Sequence, residues 1–392
     1  MQPADPDMAS SLKGSASIAG IGLTDFTGAN GRTHLELMAQ AAATALRDAG
    51  LKPADVDGLY VNNFASPFLA LQSAEYLGLD PRVLENTNIG GSSFVSYLRA
   101  AAMAIRTGQC EVALIAYGST MRSSDNLGQR RGPGDVTPYE SMYRPRNPMA
   151  SYALAAQRHM YEFGTTREHL AHVAVAARNW AMRNPAATLR DPLTVEDVLD
   201  LPLICDPFTK RDCCLVSDAG AAVVMVAPER AAGLRSKPVH LLGVAEAMTH
   251  NQIAQMRDLT TTAAAKSGPQ AFAMAGLGPA DVDVVQLYDA FTINPILFLE
   301  DLGFCAKGEG GPFVAGGHTG PGGDVPVNTN GGGLSCVHPG MYGLFLVIEA
   351  VQQLRGEAGA RQVDGAEIAL CNGSGGRLSS QVTAILGAAH TL

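Results

Sequence analysis

A histidine and a tyrosine four residues apart, His338 and Tyr342, lie in the stretch Asn328–Gly343, N-T-N-G-G-G-L-S-C-V-H-P-G-M-Y-G. Three consecutive glycines, Gly331 to Gly333, let the backbone approach a ligand or another segment closely. Pro339 biases His338 toward extended backbone, so its imidazole is aimed rather than mobile. Tyr342 opens an apolar run, Leu344–Val347, that reads as a buried helix. An imidazole and a phenol at a glycine-rich helix entrance form a candidate acid/base site. The same pattern also suits a glycine-lined loop around a core histidine.

The elements that position such a site must come from a large fold. A chain of 392 residues exceeds what one hydrophobic core serves, so two domains or a duplicated fold are expected. With 46% hydrophobic residues and 43 glycines, the chain reads as a compact α/β enzyme rather than a disordered one. The net charge of −9 gives no sign of a nucleic-acid surface. No apolar run is long enough to span a membrane. Seven cysteines, with no C-x-x-C pair and no signal peptide, point to reduced thiols in the cytoplasm. Residues 1–15 are polar and proline-bearing, a loose tail.

An internal repeat organises the remainder. Ala49–Asp57 reads A-G-L-K-P-A-D-V-D and Ala275–Asp283 reads A-G-L-G-P-A-D-V-D, which is eight identities in nine positions. Each copy follows an Ala-rich helical pattern, His34–Ala49 or Thr261–Ala275, and leads into an apolar strand ending at Tyr60 or Tyr288. Each therefore predicts a helix stopped at glycine, a Pro-Ala-Asp turn, and a buried strand. The halves match again at Ala104–Ser119 and Ala350–Gly375, helix end then strand. Strands alternating with helices imply parallel pairing in each half, and two similar halves imply a pseudo-twofold with the site where they meet. The halves are expected at 16–230 and 231–392. Within the first lies an insertion at about 119–202: a loop excursion (Arg122–Asn147), then helices over Ser151–Phe163 and Arg167–Asn184 with a cap at Thr165–Glu168. It either covers the site or makes a dimer contact. Cys214–Val226 reads as the strand that closes the first half.

The order of motifs resembles the thiolase superfamily, in particular the sterol-carrier-type thiolases and lipid-transfer homologues. The resemblance rests on Ile204–Ala222 (I-C-D-P-F-T-K-R-D-C-C-L-V-S-D-A-G-A-A), Val325–Gly340 (V-P-V-N-T-N-G-G-G-L-S-C-V-H-P-G) and Ala369–Gly376 (A-L-C-N-G-S-G-G). It implies an α/β thiolase fold: a duplicated five-layer αβαβα arrangement of pseudo-twofold halves with an inserted loop domain.

The departures from that pattern define the chemistry. Such thiolases carry a nucleophilic cysteine at the mouth of a helix, where this chain reads T-N-I-G-G-S-S-F-V-S-Y-L (Thr87–Leu98) and Gly91 fills the cysteine position. Covalent acyl transfer then lacks its thiolate. Ser92 and Ser93 read as caps of the helix that follows rather than as replacement nucleophiles. His338 matches the family's G-H-P histidine, and Cys371 matches its second, acid/base cysteine in C-x-G. At the family's oxyanion position stands Q-L-Y-D-A-F-T (Gln286–Thr292), so Tyr288 replaces a polar donor and Tyr342 is a second phenol nearby. A missing cysteine with two tyrosines facing one cleft resembles the steroid side-chain aldolases of this superfamily, which cleave β-hydroxyacyl-CoA thioesters by retro-aldol reaction. That reaction needs a base for the β-hydroxyl and donors for the enolate oxygen, and no covalent nucleophile. On this reading Tyr288 and Tyr342 are the acid/base pair. His338 donates to the thioester oxygen, and Cys371 is a residual proton carrier or a small buried residue. Gly91, Ser92, Asn328 and Asp289 border the substrate, although Asp289 also suits a cap on the turn into Phe291 and Asn328 a turn former.

The resemblance further implies an acyl-CoA substrate, with coenzyme A present only as part of the thioester and no cofactor bound in this chain. It implies a homodimer and a partner bearing a small zinc-ribbon, OB-fold domain. His159, His169 and His172 read as surface or packing residues and supply no metal triad. Gly316–Gly323 lacks the strand-then-helix context of a phosphate loop. Arg130 and Arg131 are candidates for the CoA phosphates. Two alternatives stand beside the lyase: a thiolase-like acyltransferase and a non-catalytic acyl-CoA carrier.

Overall fold

The computed structural model describes residues 12–63, 66–124 and 140–392. The repeat does the same work twice. Helix α1 (His34–Ala49) starts at Thr33, whose hydroxyl accepts the Glu36 N–H while the Glu36 carboxylate accepts the Thr33 N–H, and it stops at Gly50 in the left-handed region. Its counterpart, Ala264–Ala275, stops at Gly276 in the same conformation. In each turn that follows, the Pro-Ala-Asp aspartate closes back on the chain: Asp55 accepts the Lys52 N–H and Asp281 the Gly278 N–H. The last aspartate of each copy then clamps the next strand. Asp57 accepts the Glu111 and Val112 amides, and Asp283 those of Glu367 and Ile368.

Eleven strands form among the described residues: β1 (Ser17–Leu23), β2 (Gly58–Val61), β3 (Val83–Glu85), β4 (Val112–Ser119), β5 (Leu203–Cys205), β6 (Phe208–Thr209), β7 (Ala219–Val226), β8 (Val239–Met248), β9 (Val284–Leu287), β10 (Ile368–Gly375) and β11 (Ser380–Gly387). Nine of them make one sheet in the order β3-β2-β4-β7-β1-β8-β11-β10-β9. The two halves meet where β1 and β8 pair over only Ser17–His240 and Ile18–Val239. From either end the pairings run alike. β2 is parallel to β4 as β9 is to β10, and β4–β7 and β10–β11 are antiparallel. β3 flanks β2 in parallel, and in its equivalent place Val327 bridges Val285 in parallel.

Beyond α1, the principal helices are α2 (Ser93–Arg106), α3 (Met149–Phe163), α4 (Arg167–Ala181), α5 (Ala264–Ala275), α6 (Ile293–Asp301) and α7 (Gly343–Arg355). α1 packs on β1 and β7 from outside, and α5 packs likewise on β8 and β11. α2 and α7 each touch strands of both halves, so they form the middle of a five-layer αβαβα stack. Every residue of α7 except Gln352 is buried. Strand β7 begins at Ala219 rather than Cys214, because residues 214–217 bond to loops of the second half instead: the Cys214 N–H goes to Ala290 O and the Leu215 N–H to Gly333 O.

The inserted helices hold the site loops. α4 is capped by Thr166, with His169 as its return partner, and ends at Ala181, three residues short of the expected Asn184. Chain reversal there frees Asn184 to donate to Asn330 O at 2.9 Å. On the same side the Arg178 Nε donates to Ser335 Oγ at 3.0 Å and the Trp180 indole N–H to Thr319 O at 3.0 Å. His159 is wholly buried between Thr165 Oγ1 and the Glu300 carboxylate, which ties α3 to α6. Leu12 is buried and the Gly14 N–H donates to Leu241 O, so residues 12–15 lie packed on the second half. Among the described residues no helix is long and apolar enough to cross a membrane.

Candidate active site

Where the two halves meet, a cavity of about 670 Å³ opens, within the usual range for small-molecule sites. Asn88–Gly91 before α2, Tyr288–Phe291 after β9, His338–Gly340 before α7 and the β10–β11 turn all reach it. α3 covers it with Pro148 and Tyr152.

Three rings meet at its floor. Tyr288 stands edge-on to His338 (centroids 5.5 Å apart) and to Tyr342 (5.8 Å), and His338 lies roughly parallel to Tyr342 at 5.9 Å. Tyr288 and His338 line the cavity, whereas Tyr342 is fully buried behind them. The Tyr288 hydroxyl donates to Gly340 O at 3.4 Å and accepts the Tyr342 peptide N–H at 3.2 Å. The Tyr342 hydroxyl donates to Asn330 Oδ1 at 3.1 Å. That amide cannot turn over, because Oδ1 also accepts the Gly332 N–H at 2.8 Å. The two phenols are thus neighbours, with one facing the cavity and the other engaged behind it.

Electrostatics keep all three rings neutral near pH 7. Burial raises the Tyr288 phenol well above its ordinary value, helped by nearby Cys214 and opposed by the Tyr342 N–H. Burial also raises Tyr342, and the Asp289 carboxylate adds to it. Burial pushes the His338 imidazole down to about 4. His338 is 7% exposed, and its Nε2 has no partner among the described residues. Its peptide group is fixed by Ser217, whose hydroxyl accepts the His338 N–H and whose N–H donates to His338 O. An unsatisfied polar nitrogen in a pocket wall is suited to meet an oxygen of a bound molecule.

Gly91 explains how Tyr288 reaches its place. A Cβ on residue 91 would lie 2.2 Å from Tyr288 Cε2 and 2.4 Å from its hydroxyl. The phenol occupies the space that any side chain at position 91 would need. The two features exclude one another.

The remaining expected residues serve mainly to hold the loops. The Asp289 carboxylate accepts the Gly333 and Leu334 amides at 2.6 and 3.3 Å, which fastens the glycine stretch to the strand end bearing Tyr288. It does not cap its own turn. Burial without a cation raises it to about 7. Asn328 has φ of 52°, and its Oδ1 takes the Leu287 N–H at 2.7 Å. Neither Asp289 nor Asn328 lines the large cavity. Ser92 is buried and makes no cap bond. With φ −67° and ψ −18° it is already helical, so its hydroxyl turns back to Ile89 O and meets Ser380 Oγ at 2.7 Å. Cys371 lies inside β10 and points at α7, its thiol directed to Leu346 O at 3.6 Å. Ser374, three residues on and so on the opposite strand face, reaches the cavity instead. Cys214 and Tyr152 also border it. Neither is singled out in the sequence: Cys214 stands only as the start of a strand, and nothing in α3's helical pattern marks Tyr152. Arg130 and Arg131 lie outside the described residues.

Residues 245–388 match the family model for the thiolase C-terminal domain-like family. The chain is 35% identical to an acetyl-CoA acetyltransferase of Methanothermobacter thermautotrophicus, covering 92% of this chain and 96% of that one. It is 34% identical to a steroid side-chain-cleaving aldolase of Thermomonospora curvata, covering 93% and 96%. A solved structure described as an Ltp2-ChsH2(DUF35) aldolase superposes with a TM-score of 0.89 at 33% identity, covering 97% of this chain and 99% of that one.

Proposed function

The chain belongs to the thiolase superfamily, and from that premise we propose that it is a carbon–carbon lyase cleaving a bulky β-hydroxyacyl-CoA by retro-aldol reaction. The products are a ketone or aldehyde and acetyl- or propionyl-CoA. The observation that carries this reading is the Tyr288 ring filling the space of any side chain at Gly91, the position that we match to the family's nucleophilic cysteine. A site without a thiolate but with an aimed phenol suits proton transfer, not acyl transfer. The aldolase relatives, one of them named for steroid side chains, support the lyase and a steroid side chain as the acyl group.

In the proposed reaction Tyr288, as phenolate, takes the β-hydroxyl proton while the Cα–Cβ bond breaks. The Tyr342 N–H steadies the phenolate, while the Tyr342 phenol, expected as the second member of the pair, donates to Asn330 behind the cavity and supports Tyr288 from there. His338 Nε2 meets the thioester oxygen as it becomes an enolate. Asp289 and Asn328 act through the glycine stretch they hold. Gly91 lines the cavity beside Tyr288, Ser92 braces that wall from behind through Ser380, and we assign Cys371 no proton-transfer step.

The neighbouring aldolase's pairing with a DUF35 protein supports a complex with a small OB-fold, zinc-ribbon partner. A homodimer is the further proposal: β3 ends the sheet, and Phe68 and Leu71, in the segment between β2 and β3, are 67% and 61% exposed. We place the enzyme in the cytoplasm.

Likeness to an acetyltransferase favours acyl transfer as the second reading. Product analysis by mass spectrometry, with and without co-purified partner, separates the two. A branched β-hydroxyacyl-CoA cleaved without free CoA establishes the lyase. Cleavage of a 3-ketoacyl-CoA only when CoA is added overturns it.

A further inference from the structure

We propose that Cys214 is the acid that protonates Cα of the enolate left by carbon–carbon cleavage. The inference rests on the lyase reading, which supplies the enolate but leaves its protonation unassigned. Of the cysteines, Cys371 matched the family's acid/base position in sequence, yet it is buried against Leu346 and away from the cavity. Cys214 borders the cavity together with Tyr288, Ala290, Phe291 and His338.

Its position is held from two sides. The Cys214 N–H donates to Ala290 O at 2.9 Å, and the next residue's N–H donates to Gly333 O at 2.9 Å. The thiol therefore sits between the segment that carries Tyr288 and the loop that carries His338. An independent mark of a ligand stands in the same wall: the unpartnered Nε2 of His338, 93% buried. With His338 on the enolate oxygen, Cα stands two bonds from that oxygen, beside the wall that carries both His338 and Cys214.

The proton inventory closes. Tyr288 phenolate accepts the β-hydroxyl proton, the Cα–Cβ electron pair moves into the enolate, and the ketone forms. The enolate then takes the Cys214 S–H proton at Cα, which gives the acyl-CoA. The thiolate that remains takes the proton from the Tyr288 phenol, restoring both groups without oxidant or co-reactant. Burial raises the thiol far above its ordinary value, with Asp289 and Cys213 contributing, so it stays protonated at neutral pH. It is still a much stronger acid than a carbon acid next to a thioester.

The test uses the intact protein, with its partner if one co-purifies. Exchange of the Cα hydrogens of acetyl- or propionyl-CoA in deuterated water reads the enolisation step alone. The wild type is expected to exchange them. Cys214→Ala should lower exchange by roughly 100-fold or more, the scale of a lost general acid, while product Kd stays within about threefold. Cys214→Ser should recover part of the loss. Exchange in Cys214→Ala within about threefold of wild type overturns the proposal, and the lyase reading, tested separately by ketone release from wild type, still stands. A wild type that releases no ketone from the hydroxy substrate overturns the lyase reading, and this inference with it. Should the variants fail to fold, thiol alkylation of the wild type decides. Saturating acyl-CoA is expected to protect Cys214, and undiminished labelling there overturns the assignment.

Discussion

Replacing Gly91 by alanine tests the exclusion between a side chain at position 91 and the Tyr288 phenol. The added Cβ would lie 2.2, 2.4 and 2.5 Å from Cε2, the hydroxyl oxygen and Cζ of Tyr288. Ordinary carbon contacts are about 3.5–4.0 Å, so the ring must retreat by roughly 1.3 Å. It has little room to do so. Tyr288 is 5% exposed, has His338 and Tyr342 at 5.5 and 5.8 Å, and is tied by its hydroxyl to Gly340 O and the Tyr342 N–H. Overpacking of this kind costs about 1–3 kcal/mol, and losing the Tyr342 hydrogen bond adds about 1 kcal/mol. Gly91→Ala should therefore destabilise by about 2–4 kcal/mol. In a Tyr288→Ala background the obstacle is gone, and the same change should cost about 1 kcal/mol or less. The assay is a double-mutant cycle by urea denaturation, with lyase turnover measured on each variant. Gly91→Ala should also lose about 100-fold in kcat, because the displaced phenol no longer meets substrate. Equal costs of Gly91→Ala in both backgrounds would refute the reasoning, as would a Gly91→Ala enzyme of full activity.

Further outcomes follow from the same geometry. Tyr288→Phe should lower kcat by about 10²–10⁴-fold, and Tyr342→Phe, whose hydroxyl faces Asn330, by less; steady-state kinetics on the β-hydroxyacyl-CoA compares them. Because the Tyr288 phenol is raised above its ordinary range, its phenolate is scarce at neutral pH. Log kcat/KM should then climb by about one per pH unit from pH 7 to 9, and a flat profile would remove Tyr288 as base. Asp289 has a folded-state value of about 7 against an ordinary 3.8, so the folded protein binds this proton more tightly than the unfolded one. Its contribution is present below about pH 4 and is lost as pH rises through 7, about 4 kcal/mol as an upper scale. The difference in unfolding free energy between wild type and Asp289→Asn should carry that slope between pH 4 and 7. Arg178→Met removes the donors to Ser335 Oγ and Asp191 O, and should loosen the glycine stretch, with kcat falling and faster amide exchange at Gly331–Gly333 seen by mass spectrometry.

Much of the fold could be read from A-G-L-x-P-A-D-V-D, because each letter of that motif has a local job: glycine stops the helix, proline and aspartate make the turn, and the final aspartate takes two strand amides. Local chemistry of this kind survives translation from sequence to structure. Tyr288 and His338 stand out for a related reason: Tyr288 ends the strand of the second repeat copy, and Pro339 biases the backbone of His338. The errors arose where partners are remote. Ser92 looked like a cap because Ser380, 288 residues away, could not be foreseen as its neighbour. Cys371 matched a motif by spacing, but the two-residue period of β10 turns it toward α7 and presents Ser374 to the cavity. Tyr342 is expected to face the cleft beside Tyr288, but it lies behind the cavity, its hydroxyl drawn away by Asn330, whose own carbonyl is held by Asn184. Asp289 reads as a substrate contact or a turn cap, and only the amides of Gly333 and Leu334, more than forty residues on, give it its place.

The middle layer has a consequence for how this chain can come apart. α7 belongs by sequence to the second half, yet it packs on β1 and β7 of the first. Its Arg355 reaches across to the Asp48 carboxylate at 2.8 Å with a side chain wholly shielded from solvent. A fragment holding only residues 231–392 would leave that helix and its guanidinium facing water on one side. The two copies, although each still shows the same strand order, are no longer separable modules. Co-expressed as two polypeptides they should assemble or be degraded together, and amides of α2 and α7 should exchange only when the whole molecule opens.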